Sequence, residues 1–120
     1  MAHYVDAFVV PVPKKKVQAY IKLSKACSKI WREFGALEYR ECLGDQLEIE
    51  GMLSFPKGIK AKKGETIFFS WIVYRSRAHR DKVNAKIMKD PRIAAMCQAV
   101  AMPFDMKRML YGGFKVAVDA

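Results

Sequence analysis

The sequence lacks the features that direct a chain into or across a membrane. No apolar run approaches the ~20 residues that a membrane-spanning helix needs. The first residues contain no basic segment followed by an apolar block, so we expect no secretion signal. Only three cysteines occur, and an odd number without a close pair predicts reduced thiols in a cytoplasmic protein. Without a repeat or a linker, residues 1–120 should form one domain with a single core.

The residues that usually carry catalysis are also scarce. The only histidines are His3 and His79, far apart and without paired cysteines near them, so we predict no metal site. The chain has neither a phosphate-binding glycine loop nor a serine-nucleophile motif, and we predict no cofactor. His79 lies among arginines of a predicted helix, where a solvated surface histidine is favoured over a haem ligand.

Acidic residues are few, with 12 Asp and Glu against 22 Lys and Arg and a net charge of +10. Most of the basic residues lie on or beside two predicted helices, so we expect a strongly positive outer surface. Such a surface attracts polyanions at long range. Aromatic residues are not interleaved with these charges, and no nucleic-acid module is recognised. A solvated surface is therefore favoured, and any nucleic-acid binding should be weak, non-specific and salt-sensitive, with no membrane partner.

The run from Thr66 to Tyr74 is the most informative stretch that is present. Its aromatic and β-branched residues predict a strand. A strand covered on one side only should alternate apolar and polar residues. Here both faces are apolar: Ile67, Phe69, Trp71 and Val73 on one, and Phe68, Ile72 and Tyr74 on the other, with Ser70 the lone polar residue. Both faces need cover, which points to a second copy of the chain.

The other elements give the order βαββαβ, the ferredoxin-like arrangement of the α+β class. They are predicted as a strand over 5–12, a helix over 14–34 ended by Gly35, a strand over 37–43, a mixed connection over 45–64, a helix capped by Ser76, a helical segment capped by Asp90, and a strand over 108–118. The last helical segment should present Ile93, Met96, Cys97 and Val100 to the core. In this fold, helices cover one face of a four-stranded antiparallel sheet. The other face is open, and a homodimer would cover it as a dimeric α+β barrel.

Several segments resemble a known family. They are Tyr4–Phe8, Phe34–Leu37, Glu41-Cys42, Phe69–Ile72, Asn84–Met88, Asp90–Arg92 and, most specifically, Met102–Phe114. Together they resemble the YbaA-like family of small bacterial proteins of unknown function. The resemblance implies the dimeric α+β barrel superfamily, which includes cofactor-free monooxygenases, haem-degrading enzymes and muconolactone isomerase. It supplies a fold and no catalytic residues. The chain departs from the family pattern at Ala7, Leu43 and Met106.

One constellation of polar residues is a candidate ligand site. Val5, Ala7 and Val9 fit the helix-covered face of the first strand, which would turn Asp6 toward the open face. An acid in a central strand is costly to bury without a partner. We therefore expect Asp6 to be buried, hydrogen-bonded and on the same face as Ser70.

Neighbouring strands offer partners for these two residues. Arg40 could balance the charge of Asp6, and Arg108 and Tyr111 could add donors. Polar groups that converge in an apolar cavity are typical of a small-molecule site. A network of ion pairs at the dimer interface explains the same residues equally well. Gly112-Gly113 marks a bend or a close approach in the last strand, and the bend is favoured.

Two classes of function remain open. The first is a homodimer that binds, and in an enzyme would transform, a small and largely apolar molecule between sheet and helices or at the dimer interface. The second is a structural or polyanion-binding dimer that uses its basic helices. An enclosed cavity lined by the candidate residues favours the first class, and a dry, filled interface favours the second.

Overall fold

The structure, a computed structural model, describes residues 3–99 and 103–120. Its elements are β1 (Tyr4–Pro13), a 3-10 turn (Lys14–Lys16), α1 (Val17–Glu33), β2 (Glu38–Leu43), α2 (Phe55–Gly58), β3 (Glu65–Tyr74), α3 (Arg77–Lys89), α4 (Pro91–Ala99), a second 3-10 turn (Met106–Arg108) and β4 (Leu110–Lys115). The predicted order of elements is confirmed. The predicted last strand was too long at both ends, and Val100 lies outside the described residues.

The four strands form one antiparallel sheet in the order β2-β3-β1-β4. The two central strands pair along their whole length, from Tyr4 opposite Tyr74 to Pro13 opposite Glu65. The shorter β4 pairs only with residues 4–9 of β1. Pro11 and Pro13 thus lie beyond the end of β4, where the N–H that proline lacks is not needed for that pairing. The ferredoxin-like fold is therefore confirmed.

The predicted signals at the helix ends are present in the structure. Gly35 follows α1 with a φ of 111°, a conformation that glycine adopts without strain. Ser76 caps α3 by accepting a hydrogen bond from the backbone N–H of His79 at 3.1 Å. Pro91 occupies the first position of α4, where its missing N–H has no helical partner to lose. Within the described residues, none of the helices combines the length and the apolar character that crossing a membrane would require.

Two clusters of buried residues make up the core between the sheet and the helices. The larger one contains Ile30, Ala36, Ile72, Tyr74, Val83 and Ile87. The smaller one contains Val10, Val12, Tyr20 and Phe68. Both clusters draw on the even-numbered residues of the central strands. The helices therefore cover the face that carries Ile72 and Tyr74.

The predicted orientation of β1 was wrong. Residues directly opposite each other in an antiparallel pair share a face, and Asp6 lies opposite Ile72. Asp6 is therefore packed under the helices, together with Tyr4 and Phe8, and not on the open face. The alternation of polar and apolar residues could not predict which face of β1 the helices cover, because β1 is apolar on both faces. Its one acid, Asp6, has a partner on a helix.

The open face of the sheet is also apolar, as predicted. It carries Val5, Ala7, Val9, Phe69, Trp71, Val73, Leu110 and Phe114. The connection between β2 and β3 folds locally into α2 and covers one end of this face, where Phe55 meets Phe69 edge to face at 6.1 Å. Among the described residues, seven of thirteen exposed large hydrophobic residues belong to this face or to the connection: Ile49, Met52, Leu53, Phe55, Phe69, Leu110 and Phe114.

Gly113 of β4 gives room to a side chain of the neighbouring strand. A Cβ at this position would lie 2.8 and 2.9 Å from Cε2 and Cζ of Tyr4. The ring of Tyr4 therefore lies directly on the backbone of Gly113, and from there its hydroxyl reaches Arg80 at 3.0 Å. The favoured interpretation of the glycine pair as a bend was wrong for Gly113, since close approach is what requires it.

An arginine-carboxylate pair joins the start of β3 to the turn before β4. Arg108 donates to both carboxylate oxygens of Glu65, at 2.7 and 2.8 Å. This bidentate pair and the backbone N–H of Lys62 lower the pKa of Glu65 to about 2. Arg108 was predicted on the last strand, beside Asp6. The structure places it in the 3-10 turn with Glu65, so that prediction was wrong.

We predict that Gly113→Ala destabilises the fold through Tyr4. Overpacking of this kind costs about 1–3 kcal/mol. Gly112→Ala is the matched control, because its Cβ would lie 3.4 Å from the ring of Phe114, an ordinary contact. Chemical denaturation of both variants measures the difference. In a Tyr4→Ala background the cost of Gly113→Ala should disappear, and equal costs in both backgrounds would contradict the mechanism.

We predict that Glu65→Gln lowers the free energy of unfolding at pH 7 by about 1 kcal/mol, because it leaves the solvent-accessible Arg108 without its bidentate partner. The native pKa of Glu65 lies below its ordinary value of 4.5. The pair therefore stabilises the fold above that pH, and its contribution is lost as the pH falls from about 4.5 to about 2. Denaturation of variant and wild type across this range measures the effect. Exposed Glu48→Gln is the control, and a difference that does not shrink in acid would contradict the assignment.

Candidate functional site

A cavity of about 220 Å³ lies between the sheet and the helices. Its wall is mostly apolar and joins residues of both core clusters, among them Phe8, Trp31, Ile72, Phe104 and Met109. The helix α4 contributes Ile93 and Cys97. The core is divided here because three polar positions, Ser24, Glu41 and Ser70, interrupt it at mid-sheet.

The polar wall of the cavity is a group of hydroxyls around one carboxylate, here called the Glu41 cluster: Tyr20, Ser24, Tyr39, Glu41 and Ser70. The hydroxyl of Ser24 donates to Glu41 Oε2 at 2.6 Å. The hydroxyl of Tyr20 lies 3.0 Å from each carboxylate oxygen. Ser70 lies opposite Glu41 in the β2–β3 pairing, and Tyr39 contacts Ser24 at 3.1 Å. The α1 helix and two strands thus converge on a single carboxyl group.

Burial dominates the acidity of this carboxyl group. It raises the pKa of Glu41 above its ordinary value, although the hydroxyls of Ser24, Tyr20 and Ser70 act in the opposite direction. No lysine or arginine forms an ion pair with Glu41 in the part of the chain that the structure describes. The pKa of the nearby Tyr20 is raised by its burial and by the carboxylate.

Two cysteines line the same cavity from different helices, Cys27 on α1 and Cys97 on α4. Burial raises the pKa of Cys27 to about 11, which keeps it a thiol at neutral pH. Cys97 was expected in the core and is exposed, so that expectation was wrong. The described residues contain no group of three His, Cys, Asp or Glu side chains placed to hold a metal ion.

A second polar cluster surrounds Asp6 on the same face of the sheet. Asp6 is 1% exposed, and its Oδ1 lies 3.8 Å from Arg80 Nε of α3. Arg80 also donates to the hydroxyls of Tyr4 and Tyr111, and it lies over the ring of Tyr4. Burial raises the pKa of Asp6, against the opposing effects of Arg80, Tyr111 and Asn84. The cluster ties α3 to the sheet.

The five predicted site residues do not converge. Asp6 and Tyr111 belong to the second polar cluster, around Asp6 and Arg80, and Ser70 shares their face but belongs to the Glu41 cluster. The side chain of Arg40 pairs with Glu38 at 2.9 Å, on the same face as Trp71, although the residue borders the cavity. The prediction that these residues form one site was wrong, because the structure does not bring them together. Arg40 pairs with Glu38, and Arg108 pairs with Glu65.

His79 is held by its own helix start and is not a freely solvated residue. Its Nδ1 accepts the backbone N–H of Arg75 at 3.0 Å, and its ring meets Tyr74 edge to face. Burial and the neighbouring cations lower the pKa of His79, so it is neutral at physiological pH. With Nδ1 acting as acceptor, the ring proton is on Nε2, which faces Gly35.

Sequence reasoning missed the Glu41 cluster, although a signal for it was present. Glu41 stands between Tyr39 and Leu43 on one face of a short strand, the same pattern that singled out Asp6. Tyr20, Ser24 and Cys27 lie on one face of α1 at helical spacing, with a serine inside the apolar stripe. A polar interruption in each of two facing elements predicts a polar contact between them.

Comparison with known sequences identifies relatives over almost the whole chain. The uncharacterized protein YbaA of Escherichia coli K12 is 41% identical over 116 residues, which are 97% of each chain. The same identity and coverage hold for YbaA of Shigella flexneri. The family model described as a protein of unknown function, DUF1428, matches residues 3–106.

Two solved structures share the fold at low sequence identity. A dimeric ferredoxin-like protein from an uncultured marine organism superposes with a TM-score of 0.58 at 10% identity, over 100% of both chains. A nipsnap family protein with unknown function from Agrobacterium tumefaciens gives a TM-score of 0.58 at 13% identity, over 94% of this chain and 86% of the other. These likenesses concern the fold, whereas the sequence matches concern descent: the chain belongs to the DUF1428 family of proteins of unknown function.

Proposed function

We propose that the protein is a homodimer that binds a small, largely apolar molecule in the cavity between its sheet and its helices. The observation that carries the proposal is the cavity itself, an apolar space with one carboxylate and its hydroxyls on the wall. An apolar pocket with a few convergent polar groups is typical of small-molecule sites. The proposal moves the ligand from the predicted Asp6 site to the Glu41 cluster.

The volume of the cavity matches a ligand of about one substituted ring. An apolar cavity of about 150 Å³ holds benzene, and drug-sized ligands occupy about 300–1,000 Å³. The present cavity of about 220 Å³ lies between these values. A single ring with a short polar substituent fits this range, with the ring against Phe8, Trp31 and Ile72.

The open face of the sheet supports the homodimer. The molecule is flat, with extents of 40 × 38 × 20 Å, so the sheet presents a broad face to a partner. A stable interface takes about 800 Å² from each partner and has an apolar centre. The face around Phe69, Leu110 and Phe114 has that character, and Glu38 and Arg40 form a polar pair beside it. One structural neighbour is itself described as a dimeric ferredoxin-like protein.

We predict that Leu110→Glu converts the dimer to a monomer. Leu110 is 57% exposed, so a charge there is tolerated in one subunit but is buried between two. Light scattering at micromolar concentration should give about twice 13.7 kDa for the wild type and about 13.7 kDa for the variant. Met88→Glu is the control, since Met88 is 83% exposed on α3 and the variant should stay dimeric. A monomeric wild type would refute the dimer.

We predict that Leu23→Trp fills the cavity and abolishes binding of an apolar probe. Leu23 is a wall residue on α1, so the larger ring should enter the empty space and exclude toluene. Ligand-observed NMR measures toluene binding, and native mass spectrometry of the wild type tests for a co-purified ligand. Exposed Met88→Trp is the matched control. Equal toluene binding by the wild type and by both folded variants would argue against this cavity.

A further inference from the structure

The protons of the Glu41 cluster can be assigned from its hydrogen bonds. Ser24 has one hydroxyl proton, and it donates this proton to the carboxylate of Glu41 at 2.6 Å. In the 3.1 Å contact between Ser24 and Tyr39, the donor must therefore be Tyr39. Tyr20 also donates to Glu41. The hydroxyl protons of these three residues are thus directed toward the carboxylate, directly or through Ser24.

This arrangement makes the polar wall of the cavity an acceptor surface. A hydroxyl that has given its proton to Glu41 can offer a ligand only its oxygen lone pairs. The carboxylate itself accepts and does not donate. A ligand group that only accepts hydrogen bonds, such as a carboxylate or a ketone, finds no free donor on Tyr20, Ser24 or Tyr39. The indole N–H of Trp31, which also lines the cavity, is a buried donor without a partner among the described residues, but it lies outside the Glu41 cluster. A ligand group that donates several hydrogen bonds finds acceptors on Glu41, Ser70 and Tyr39.

The charge of the wall is also uncompensated. Three carboxylates with side chains less than 10% exposed each form an ion pair with an arginine: Asp6 with Arg80, Glu65 with Arg108 and Asp90 with Arg92. Glu41 has hydroxyls only, among the residues that the structure describes. Lys25 borders the outer side of the cluster but is exposed and lies outside ion-pair distance. A partly buried carboxylate without a cation favours a ligand that brings one.

We propose that the cavity selects a small amine with an apolar body, whose ammonium group binds Glu41 and whose single ring fills the apolar part. The inference rests on the proposed binding function and specifies its ligand class. The ammonium supplies three donors to the oxygen acceptors of the Glu41 cluster and the positive charge that Glu41 lacks. Folding has already removed Glu41 from most of its water, so binding needs to desolvate mainly the ligand.

The test compares four probes that share one ring and differ in the head group: benzylamine, benzyl alcohol, benzoate and toluene. Binding to the full-length protein at pH 7 is measured by NMR titration. We expect benzylamine to bind at least about tenfold more tightly than benzyl alcohol, and benzoate to bind weakest, because charge-assisted hydrogen bonds are the stronger ones. The net charge of +10 attracts benzoate and repels benzylamine, so long-range electrostatics cannot produce this order.

Glu41→Gln, which keeps size and shape, should remove the preference for benzylamine while toluene still binds. Glu38→Gln is the matched control on the other face of β2 and should leave the preference unchanged. Equal affinities for benzylamine and benzyl alcohol, or a preference that survives Glu41→Gln, would overturn the amine inference and leave cavity binding standing. Binding of none of the four probes would overturn the proposed function itself. If Glu41→Gln does not fold, the order of the four probe affinities in the wild-type protein tests the amine inference on its own.

Discussion

Two carboxylates on the helix-covered face of the sheet each attach one helix to it. Burying a carboxylate without partners costs several kcal/mol, so each must be met by groups from the covering layer. Asp6 of β1 is met by Arg80 of α3, and Glu41 of β2 is met by Tyr20 and Ser24 of α1. Each helix therefore has a polar attachment to the sheet as well as an apolar one. The attachment of α1 consists of hydrogen bonds, which are directional, whereas Asp6 and Arg80 form an ion pair at 3.8 Å.

The order of elements could be predicted from the sequence, whereas the orientation of β1 could not. The apolar periodicity of α1, the caps at Ser76 and Gly35 and the β-rich run of β3 are local signals, and the structure agrees with them. The face that β1 turns to the helices depends on a contrast between a polar and an apolar side. That contrast is absent in a sheet that is apolar on both faces. Asp6 identifies the helix-covered face of β1 only when its partner Arg80, 74 positions later in the chain, is known.

The candidate site could be predicted only in part, for a related reason. Ser70 was recognised because it is a single polar residue in an apolar strand. Glu41 lies in a short edge strand whose other face carries Glu38 and Arg40, so its position between Tyr39 and Leu43 was a weaker signal than a lone serine in an apolar strand. The cavity depends on the side-chain volumes at three positions that face one another. No local sequence pattern predicts their combined volume. Sequence patterns thus identify polar interruptions singly, and only the register of β2 on β3 joins them.

The two apolar faces of β3 have different consequences for function. Ser70 and Ile72 form part of the cavity wall, and the adjacent Trp71 points to the opposite face, where its indole N–H donates to Glu38 at 2.7 Å. The floor of the cavity is therefore the reverse side of the surface that we propose a partner covers. Packing of that surface would restrain the backbone that holds Ser70 opposite Glu41. The proposed dimer interface and the proposed ligand cavity thus share one strand, β3.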